Sequence, residues 1–345
     1  MFNRDDPFKQ PREVPSYPMG STRINELMPR VRAAVEGDTA LSEKINDVRF
    51  LTTLAGDALV SITYNRPIDA DGAWEAAATA LSEALGPGPG GKPVKIVGRS
   101  RKVKIVVGGE TVEETLSVAG RGGSGAECHY LQTEGAFSQP NAGVCEHMLA
   151  WAYAAAAPPP RSSEEEEGDE GEDEEGKRNG DLCELYCGNG CFTIALAPRF
   201  RRVIATELSR SSVALAERNI AANGLAAAGR VRVAKLSAEE FSAAYRGERV
   251  GATRLADAGI DAAADLAANG ELRTLLVDPP RAGLDETCRG LARRFARVIY
   301  VSCNPETLAR DVAELRATHR VTRLAAFDQF PYTHHLECGA LLQKR

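Results

Sequence analysis

The 345-residue sequence contains no uninterrupted apolar run near the ~18 residues that a membrane-spanning helix needs. Residues 1–20 are polar and contain prolines, which argues against a secretory signal. Eight scattered cysteines are too few for a disulfide framework, and Cys187 and Cys191 form an isolated C-x-x-x-C pair without a second pair at zinc spacing. We therefore expect a soluble, cytoplasmic protein with free thiols and no metal, with an organellar location left open.

Charge is unevenly distributed. Residues 164–175 hold ten acids in twelve positions, whereas the whole chain carries a net charge of −6, so the remainder is mildly basic. The surrounding segment 158–179 has almost no apolar residue and is expected to be a disordered, solvated insertion. The stretch KPVKIVGRSRKVK (92–104) has six basic residues and no acid, which suits contacts with phosphate groups but equally describes a solvated hairpin tip.

From residue 181 onward, strand and helix patterns alternate, which predicts a doubly wound, Rossmann-like α/β sheet. The predicted strands are Leu182–Tyr186, Val203–Thr206, Val231–Ala234, Leu275–Val277, Val298–Val301, Val321–Phe327 and Ala340–Gln343. A helix is predicted over about 141–157. The earlier part of the chain mixes strand and helix patterns and predicts a smaller α+β region. We therefore expect an RNA-recognition region at 1–136 and the larger α/β domain at 137–345.

A glycine turn follows the first of these strands. Gly188 and Gly190 permit a tight turn with close approach of the backbone to a ligand. Glu207 ends the next strand, where nucleotide-binding α/β folds place the carboxylate that binds ribose hydroxyls. The third glycine of a dinucleotide fingerprint is missing, so the pattern favours a cofactor without a pyrophosphate, and S-adenosylmethionine fits.

Three further side chains stand at strand ends, where open α/β sheets bind their ligands. Asp278 ends a strand in VDPPRAGL, and Glu337 directly precedes the closing strand. Cys303 lies between a strand and a helix, with Asn304 suited to the N-cap and Pro305 to the first helical position. The nearby helix terminus is expected to lower the pKa of the thiol and to favour the thiolate.

Together these motifs resemble the tRNA (uracil-5-)-methyltransferase family from roughly residue 20 to the end. The segments that carry the resemblance are FSQPNAGVCEHMLAWA (137–152), LCELYCGNGCFTIALA (182–197), IATELSRSSVALAERNIAANGL (204–225), VDPPRAGLD (277–285), VSCNPETLARD (301–311) and FDQFPYTHHLECGALL (327–342). The last two are the most specific.

The resemblance implies a class I, S-adenosylmethionine-dependent enzyme that methylates C5 of uridine 54 in the tRNA T-loop, working as a monomer on the T-arm. It implies that Cys303 is the nucleophile that adds to uracil C6 and that Glu337 is the general base. By the same matching, S-adenosylmethionine is held by four side chains, namely Gln139, Tyr186, Glu207 and Asp278. The target uridine has to leave its stack to reach the thiol.

The sequence departs from the family pattern at two places. Family members carry an N-terminal stretch with a basic–acidic strand that helps bind RNA, and its absence from this sequence leads us to expect that the RNA-recognition region 1–136 is incomplete at its N-terminus. Cys191 stands where relatives often have an asparagine near the cofactor. A thiol donates a weaker hydrogen bond than an amide, so weaker cofactor binding is expected.

Three alternatives are a ribosomal-RNA uracil-5-methyltransferase, an RNA-binding relative without turnover, and a nicotinamide-dependent dehydrogenase. The ribosomal-RNA enzymes often carry a cluster-binding cysteine set and an additional N-terminal barrel, and neither is visible in the sequence. Intact Cys303 and Glu337 argue against loss of turnover. The broken glycine fingerprint opposes the dehydrogenase.

Overall fold

The structure, a computed structural model, describes residues 14–68, 72–121, 126–157, 180–226, 229–266 and 272–345. The predicted acidic insertion at 158–179 lies outside the described residues. Two compact units are present: Met1–Glu114 with Gln132–Gly135, and Thr115–Leu131 with Ala136–Arg345. Residues 115–131, which the sequence assigned to the first region, therefore pack with the second unit.

The first unit is built on a four-stranded sheet in the order β1-β2-β3-β4. Its elements are α1 (Thr22–Gly37), α2 (Thr39–Ser42), β1 (Ile45–Thr52), β2 (Ala58–Tyr64), α3 (Ala73–Leu85), β3 (Lys95–Ser100) and β4 (Val103–Val107). Strands β2 and β3 are parallel and are joined through α3, whose Trp74 packs where a Cβ on Gly98 would come within 2.5 Å of the ring. Glycine in β3 therefore lets the helix lie directly on the sheet.

Strands β5 (Thr111–Ser117) and β6 (Glu127–Thr133) pair with each other as a separate two-stranded sheet. The sequence did not predict them. Side chains of β5 alternate between buried and exposed positions, with Val112 and Leu116 on the buried side. Helix α4 (Ala142–Ala155) follows, and Asn141 caps it by accepting a hydrogen bond from the Val144 N–H at 3.2 Å.

The second unit contains a seven-stranded sheet in the order β12-β13-β11-β10-β7-β8-β9. Its elements after α4 are β7 (Asp181–Leu185), α5 (Cys191–Leu196), β8 (Val203–Glu207), α6 (Arg210–Ala222), β9 (Val231–Lys235), α7 (Ala238–Tyr245), α8 (Ala252–Asp257), α9 (Ala262–Asp265), β10 (Leu272–Val277), α10 (Glu286–Ala292), β11 (Arg297–Ser302), α11 (Pro305–Leu315), β12 (His319–Phe327) and β13 (Glu337–Lys344). Strands β7 to β11 are parallel, and β13 is antiparallel to both β11 and β12.

Both faces of this sheet are buried. Along β11, Ile299 and Val301 belong to the apolar core that includes α4, α5 and α6, whereas Val298 and Tyr300 belong to the core that includes α7, α10 and α11. Burial on both faces explains why the strands read as continuous apolar runs. The strand order reverses between β7 and β10, so the crevice beyond their carboxyl ends is the expected ligand position. The predicted Rossmann-like α/β fold is confirmed.

Candidate active site

The pairing of strands brings three of the predicted residues side by side. Leu185 pairs with Thr206 on one side and with Val277 on the other. The next residues along these three parallel strands are Tyr186, Glu207 and Asp278. Three of the four predicted cofactor residues therefore lie beside one another along the carboxyl edge of the sheet, on both sides of the point where the strand order reverses.

Antiparallel pairing brings the two predicted catalytic residues together at the same edge. Ser302 is the last residue of β11 and pairs with Cys338 of β13. One residue beyond this last pair, the chain reaches Cys303 on the β11 side and Glu337 on the β13 side. The negative charge of Glu337 acts on the Cys303 thiol and raises its pKa, as expected for neighbouring groups.

The glycine turn is held by Glu207. One carboxylate oxygen accepts a hydrogen bond from the Gly188 N–H at 3.1 Å and the other accepts from the Ser209 N–H at 2.7 Å. Gly188 and Gly190 have φ values of 57° and 85°, which side chains rarely adopt. A Cβ at Gly188 would meet nothing within 4 Å, so the backbone borders open space there. A strand-end carboxylate beside an open glycine turn fits the adenosyl part of S-adenosylmethionine.

The sequence predicted Tyr186 as the last residue of its strand, and this boundary is wrong by one residue. Strand β7 ends at Leu185, and Tyr186 has a φ of 64°, a left-handed conformation. Its hydroxyl lies 3.5 Å from the Cys288 sulfur of α10. A strained conformation of this kind is typical of functional turns, and here it turns the chain from β7 into the glycine loop.

Glu337 is the most deeply buried of the predicted acids at this edge. Only 2% of its surface is exposed, and its Oε2 has no hydrogen-bond partner among the described residues. Burial raises the pKa of Glu337 to about 7, although the positive charge of Arg281 opposes the shift. A carboxylate that titrates near neutral pH in a dry environment is suited to accept a proton from a bound substrate.

Cys303 occupies the predicted position, but the prediction about its thiol is wrong. Asn304 caps α11 through the Glu306 N–H at 3.0 Å, and Pro305 is the first helical residue. The pKa of Cys303 is nevertheless raised, chiefly by burial and also by the charges of Glu337 and Asp278, while Arg281 lowers it. Burial and two carboxylates raise the pKa of this thiol although it lies next to the start of α11.

Asp278 lies among other acids. Its pKa is raised well above the ordinary value by burial and by the charges of Glu337 and Glu184. Glu184, in the middle of β7, is itself buried, and burial raises its pKa to about 8 while its carboxylate accepts a hydrogen bond from the Thr193 hydroxyl at 2.6 Å. The sequence analysis missed Glu184, although an acid within an apolar strand was the available signal.

The loop that carries Asp278 and Arg281 is fastened to α11 by Asp311, which is fully buried. Asp311 accepts hydrogen bonds from the Leu284 N–H at 2.7 Å and the Tyr300 hydroxyl at 2.7 Å. Two guanidinium groups, those of Arg289 and Arg310, also contact it. The sequence analysis missed this residue because it reads as a polar position of a helix.

Gln139 reaches the site from the segment before α4. Its Oε1 accepts a hydrogen bond of 3.0 Å from Nε2 of Gln329, which lies in the loop between β12 and β13. Gly339 of β13 admits the ring of Trp151 from α4, because a Cβ there would come within 2.6 Å of the indole. Close packing of α4 on this strand explains how Gln139 meets a residue 190 positions away.

Comparison with known proteins agrees with this arrangement. The sequence profile described as tRNA (Uracil-5-)-methyltransferase matches residues 1–165 and 171–345. The tRNA/tmRNA (uracil-C(5))-methyltransferase of Ectopseudomonas mendocina (strain ymp) is 49% identical over 95% of this chain and 79% of that protein. Its counterpart in Pseudomonas aeruginosa PAO1 is 48% identical over the whole of this chain and 82% of its own length.

The chain belongs to the tRNA (uracil-5-)-methyltransferase family. This confirms the resemblance, the enzyme class and the methyl donor, S-adenosylmethionine, that the sequence predicted. The crystal structure of Pyrococcus abyssi tRNA (uracil-54, C5)-methyltransferase in complex with S-adenosyl-L-homocysteine has the same fold, with a TM-score of 0.65 and 19% identity over 98% of this chain and 71% of that one. The roles of individual residues stay predictions.

Cys191, where family members often have an asparagine, begins α5 directly after the glycine turn. Its sulfur lies 3.7 Å from that of Cys145 in α4, and this contact together with burial raises the pKa of Cys191 well above the ordinary value. Its carbonyl oxygen accepts a hydrogen bond from the Tyr130 hydroxyl at 2.9 Å. The methyltransferase thus has a protonated, engaged thiol at this position.

The basic stretch of the methyltransferase lies on β3 and β4 of the first unit, and most of its cations are paired. Lys92 contacts Glu113 at 2.6 Å, Lys95 contacts Asp57 at 2.6 Å, Arg99 contacts Glu134 at 2.6 Å, and Lys104 contacts Glu110. Arg101 and Lys102 at the hairpin tip are exposed. These two are the cations of the stretch best placed to contact phosphate groups.

The part of the chain that the structure describes holds no group of three or more His, Cys, Asp or Glu side chains able to bind a metal ion. In the same part, every helix is too short or too polar to cross a membrane.

Proposed function

We propose that this chain methylates C5 of uridine in tRNA through a covalent adduct between Cys303 and uracil C6, with Glu337 as the general base. The observation that carries the proposal is the register of β11 and β13, whose last pair, Ser302–Cys338, adjoins both residues, together with the action of the Glu337 charge on the Cys303 thiol. Glu337 is buried, has a carboxylate oxygen without a partner among the described residues, and has a pKa of about 7.

Uracil C5 is a poor nucleophile, so the chain has to activate it. The Cys303 thiol first releases its proton to solvent, and the Arg281 guanidinium, which lowers the pKa of this thiol, favours that step. The thiolate then forms a bond to C6, and the electrons of the C5–C6 double bond move into an enolate that makes C5 nucleophilic. When bound, S-adenosylmethionine supplies the electrophilic methyl group for which this carbon is the acceptor.

Glu337 completes the reaction. After methylation C5 carries one hydrogen too many, and the Glu337 carboxylate removes it as a proton. The electrons of the C–H bond restore the C5–C6 double bond, and the bond between C6 and the Cys303 sulfur breaks. Because the base has to be ionised, the rate of turnover is expected to rise as the pH increases through about 7.

We further propose that Tyr186, Glu207, Asp278 and Gln139 hold S-adenosylmethionine. Support comes from their common position beyond the carboxyl ends of β7, β8 and β10 and beside α4, and from the open space at Gly188. A carboxylate such as that of Glu207 suits the two ribose hydroxyls, and a backbone free of side chains at the turn permits close approach. Gln139 offers an amide to the polar end of the ligand.

Uridine 54 of the T-loop is the proposed target, and the chain is proposed to bind the T-arm as a monomer. The names of the similar Ectopseudomonas and Pseudomonas proteins specify tRNA and tmRNA rather than ribosomal RNA, which favours tRNA over the ribosomal alternative. A transcript of tRNA with uridine 54 replaced by cytidine tests the position, and transcripts of tmRNA and ribosomal RNA test the class.

The adduct itself is testable with T-arm RNA that contains 5-fluorouridine at the target position. Fluorine at C5 does not leave as a proton, so the reaction is expected to stop after methyl transfer with RNA bound to Cys303. Intact mass spectrometry in the presence of S-adenosylmethionine should show protein plus RNA plus one methyl group.

The matched variants are Cys303→Ala, which should abolish the adduct, and Cys338→Ala, which removes another half-buried thiol beside Glu337 and should retain it. Adduct formation by Cys303→Ala, or its loss in Cys338→Ala alone, would contradict the assignment of the nucleophile. Absence of both adduct and S-adenosylmethionine binding in the unaltered protein would contradict the proposed function.

A further inference from the structure

Gln329 is a buried polar residue that the reaction described above does not use. Its exposed fraction is 2%. Nε2 donates a hydrogen bond to Oε1 of Gln139 at 3.0 Å and contacts the sulfur of Met148 at 3.5 Å. Oε1 of Gln329 has no hydrogen-bond partner among the described residues. A buried amide with half of its capacity unused is destabilising, and an apolar side chain of similar volume would suit the fold better.

The position of Gln329 is fixed by the same elements that carry the proposed general base. Phe327, the last residue of β12, pairs with Glu337, and the Gln329 N–H donates to the Phe327 carbonyl at 2.9 Å. The Phe327 ring packs edge-on against the indole of Trp151 in α4, with 6.2 Å between the ring centroids. Gln329 therefore joins the loop before Glu337 to the segment that carries Gln139.

Met148 decides which way the Gln329 amide points. Oxygen and nitrogen of an amide are assigned from their partners, and a thioether sulfur accepts hydrogen bonds but cannot donate them. The Met148 sulfur therefore favours the amino group of Gln329 on the side shared with Gln139. Since Gln329 donates to Gln139, the Gln139 amide has to present its oxygen to Gln329, and its amino group is left for another partner.

We infer that Gln329 is a positioning residue that fixes the Gln139 amide with its amino group towards an acceptor oxygen of the bound ligand. This inference rests on the proposed function. Both substrates have such an oxygen: the carboxylate of S-adenosylmethionine and the carbonyl oxygens of uracil. The chemistry is the same for both, and the experiment distinguishes them.

The test combines Gln329→Met with Gln139→Leu. Gln329→Met keeps the volume and removes the donor, and Gln343→Met on β13 is the matched control at a half-exposed position. If Gln329 acts through Gln139, Gln329→Met lowers kcat/KM about tenfold in the unaltered protein, the size expected for one misdirected hydrogen bond, and has no further effect in the Gln139→Leu background. The control substitution is expected to leave kcat/KM unchanged.

A separate readout distinguishes positioning from a structural role. Positioning raises KM for the one substrate that Gln139 contacts and leaves KM for the other unchanged, whereas partial unfolding lowers kcat at unchanged KM values. Calorimetric titration of Gln329→Met without RNA then identifies the acceptor oxygen that Gln139 contacts. If this variant binds S-adenosylmethionine more weakly than the unaltered protein, the oxygen belongs to the methyl donor. Unchanged binding with slower adduct formation on 5-fluorouridine RNA places it on uracil.

Three results would overturn the inference: unaltered kcat/KM in Gln329→Met, an equal loss in both backgrounds, or a fall in kcat alone. Failure of the proposed function is recognised separately, because the unaltered protein would then form no adduct with 5-fluorouridine RNA.

Discussion

The raised pKa of Glu337 predicts that the proposed general base destabilises the folded protein, and that Glu337→Gln relieves this cost only where the carboxyl is ionised. The ordinary pKa of a glutamate is 4.5, and burial raises that of Glu337 to about 7. Each unit of difference between folded and unfolded chain corresponds to about 1.4 kcal/mol, so the full effect is about 3 kcal/mol. With 2% of the residue exposed, screening by solvent reduces this little.

The sign follows from proton binding. Below pH 4.5 both the folded and the unfolded chain hold the proton, and Glu337 affects stability no differently from glutamine. Between pH 4.5 and about 7 the unfolded chain releases the proton first, so the free energy of unfolding falls as the pH rises. Above pH 7 the carboxylate is ionised in both states, and the cost of burying it is complete.

Urea-induced unfolding, followed by circular dichroism at pH 4.5, 6 and 8, measures this effect as a difference between proteins. Glu337→Gln should match the unaltered protein at pH 4.5 and be more stable by about 3 kcal/mol at pH 8. Glu217→Gln, at an exposed position of α6, is the matched control and should show a difference that does not vary with pH. A stability difference of Glu337→Gln that is the same at all three pH values would refute the reasoning.

Three further predictions concern residues that support the site. Gly339→Ala brings a Cβ within 2.6 Å of the Trp151 indole and should destabilise the protein by about 1–3 kcal/mol in urea unfolding. Gly290→Ala in α10 is the control: its Cβ meets nothing within 4 Å, and the substitution should stabilise the protein by about 0.5–1 kcal/mol. Asp311→Ala leaves the Leu284 N–H and the buried Tyr300 hydroxyl without their acceptor, so urea unfolding should show a loss of about 2–6 kcal/mol, at about 1–3 kcal/mol for each unpaired donor, and an effect below about 1 kcal/mol would contradict its role. Arg281→Met should raise the pKa of Cys303, seen as slower alkylation by iodoacetamide with a rate profile displaced to higher pH; an unchanged profile would exclude this contact.

Local patterns were sufficient to predict much of the site. The sequence predicts Gly188 in a turn and Glu207 at the end of the next strand, and the structure joins the two by a hydrogen bond of 3.1 Å, because a strand, a turn, a helix and the next parallel strand return the chain to the same edge. The sequence Cys303–Asn304–Pro305 likewise predicts the start of α11, since the N-cap and the first helical position have strong residue preferences. Both predictions depend on neighbours within a few residues or on a single βαβ unit.

Contacts between distant segments could not be predicted in this way. Gln329 and Gln139 are brought together because α4 packs on β12 and β13, and no local pattern encodes that packing. Asp311 reads as one more polar residue of a helix, although the folded chain buries it completely. The raised pKa of Cys303 has the same origin, since Glu337 is 34 positions away in sequence and only the sheet makes it a neighbour.

Asp278 and Glu337 are both carboxyl groups at the edge of the sheet, and we expect them to have different roles because their protonation differs. Burial and the charges of Glu337 and Glu184 raise the pKa of Asp278 well above its ordinary value, which favours the protonated form of this carboxyl group, the form that donates a hydrogen bond. Glu337, with a pKa of about 7, ionises near neutral pH, as the proposed acceptor of the C5 proton has to do. An amide imitates a protonated carboxyl group, so Asp278→Asn should retain at least tenfold more kcat/KM than Asp278→Ala, whereas Glu337→Gln should lose about 10²–10⁴-fold despite its gain in stability. If Asp278→Asn were as inactive as Asp278→Ala, the ionised form of Asp278 would be the working one, and the division between the two carboxyl groups would have to be reversed.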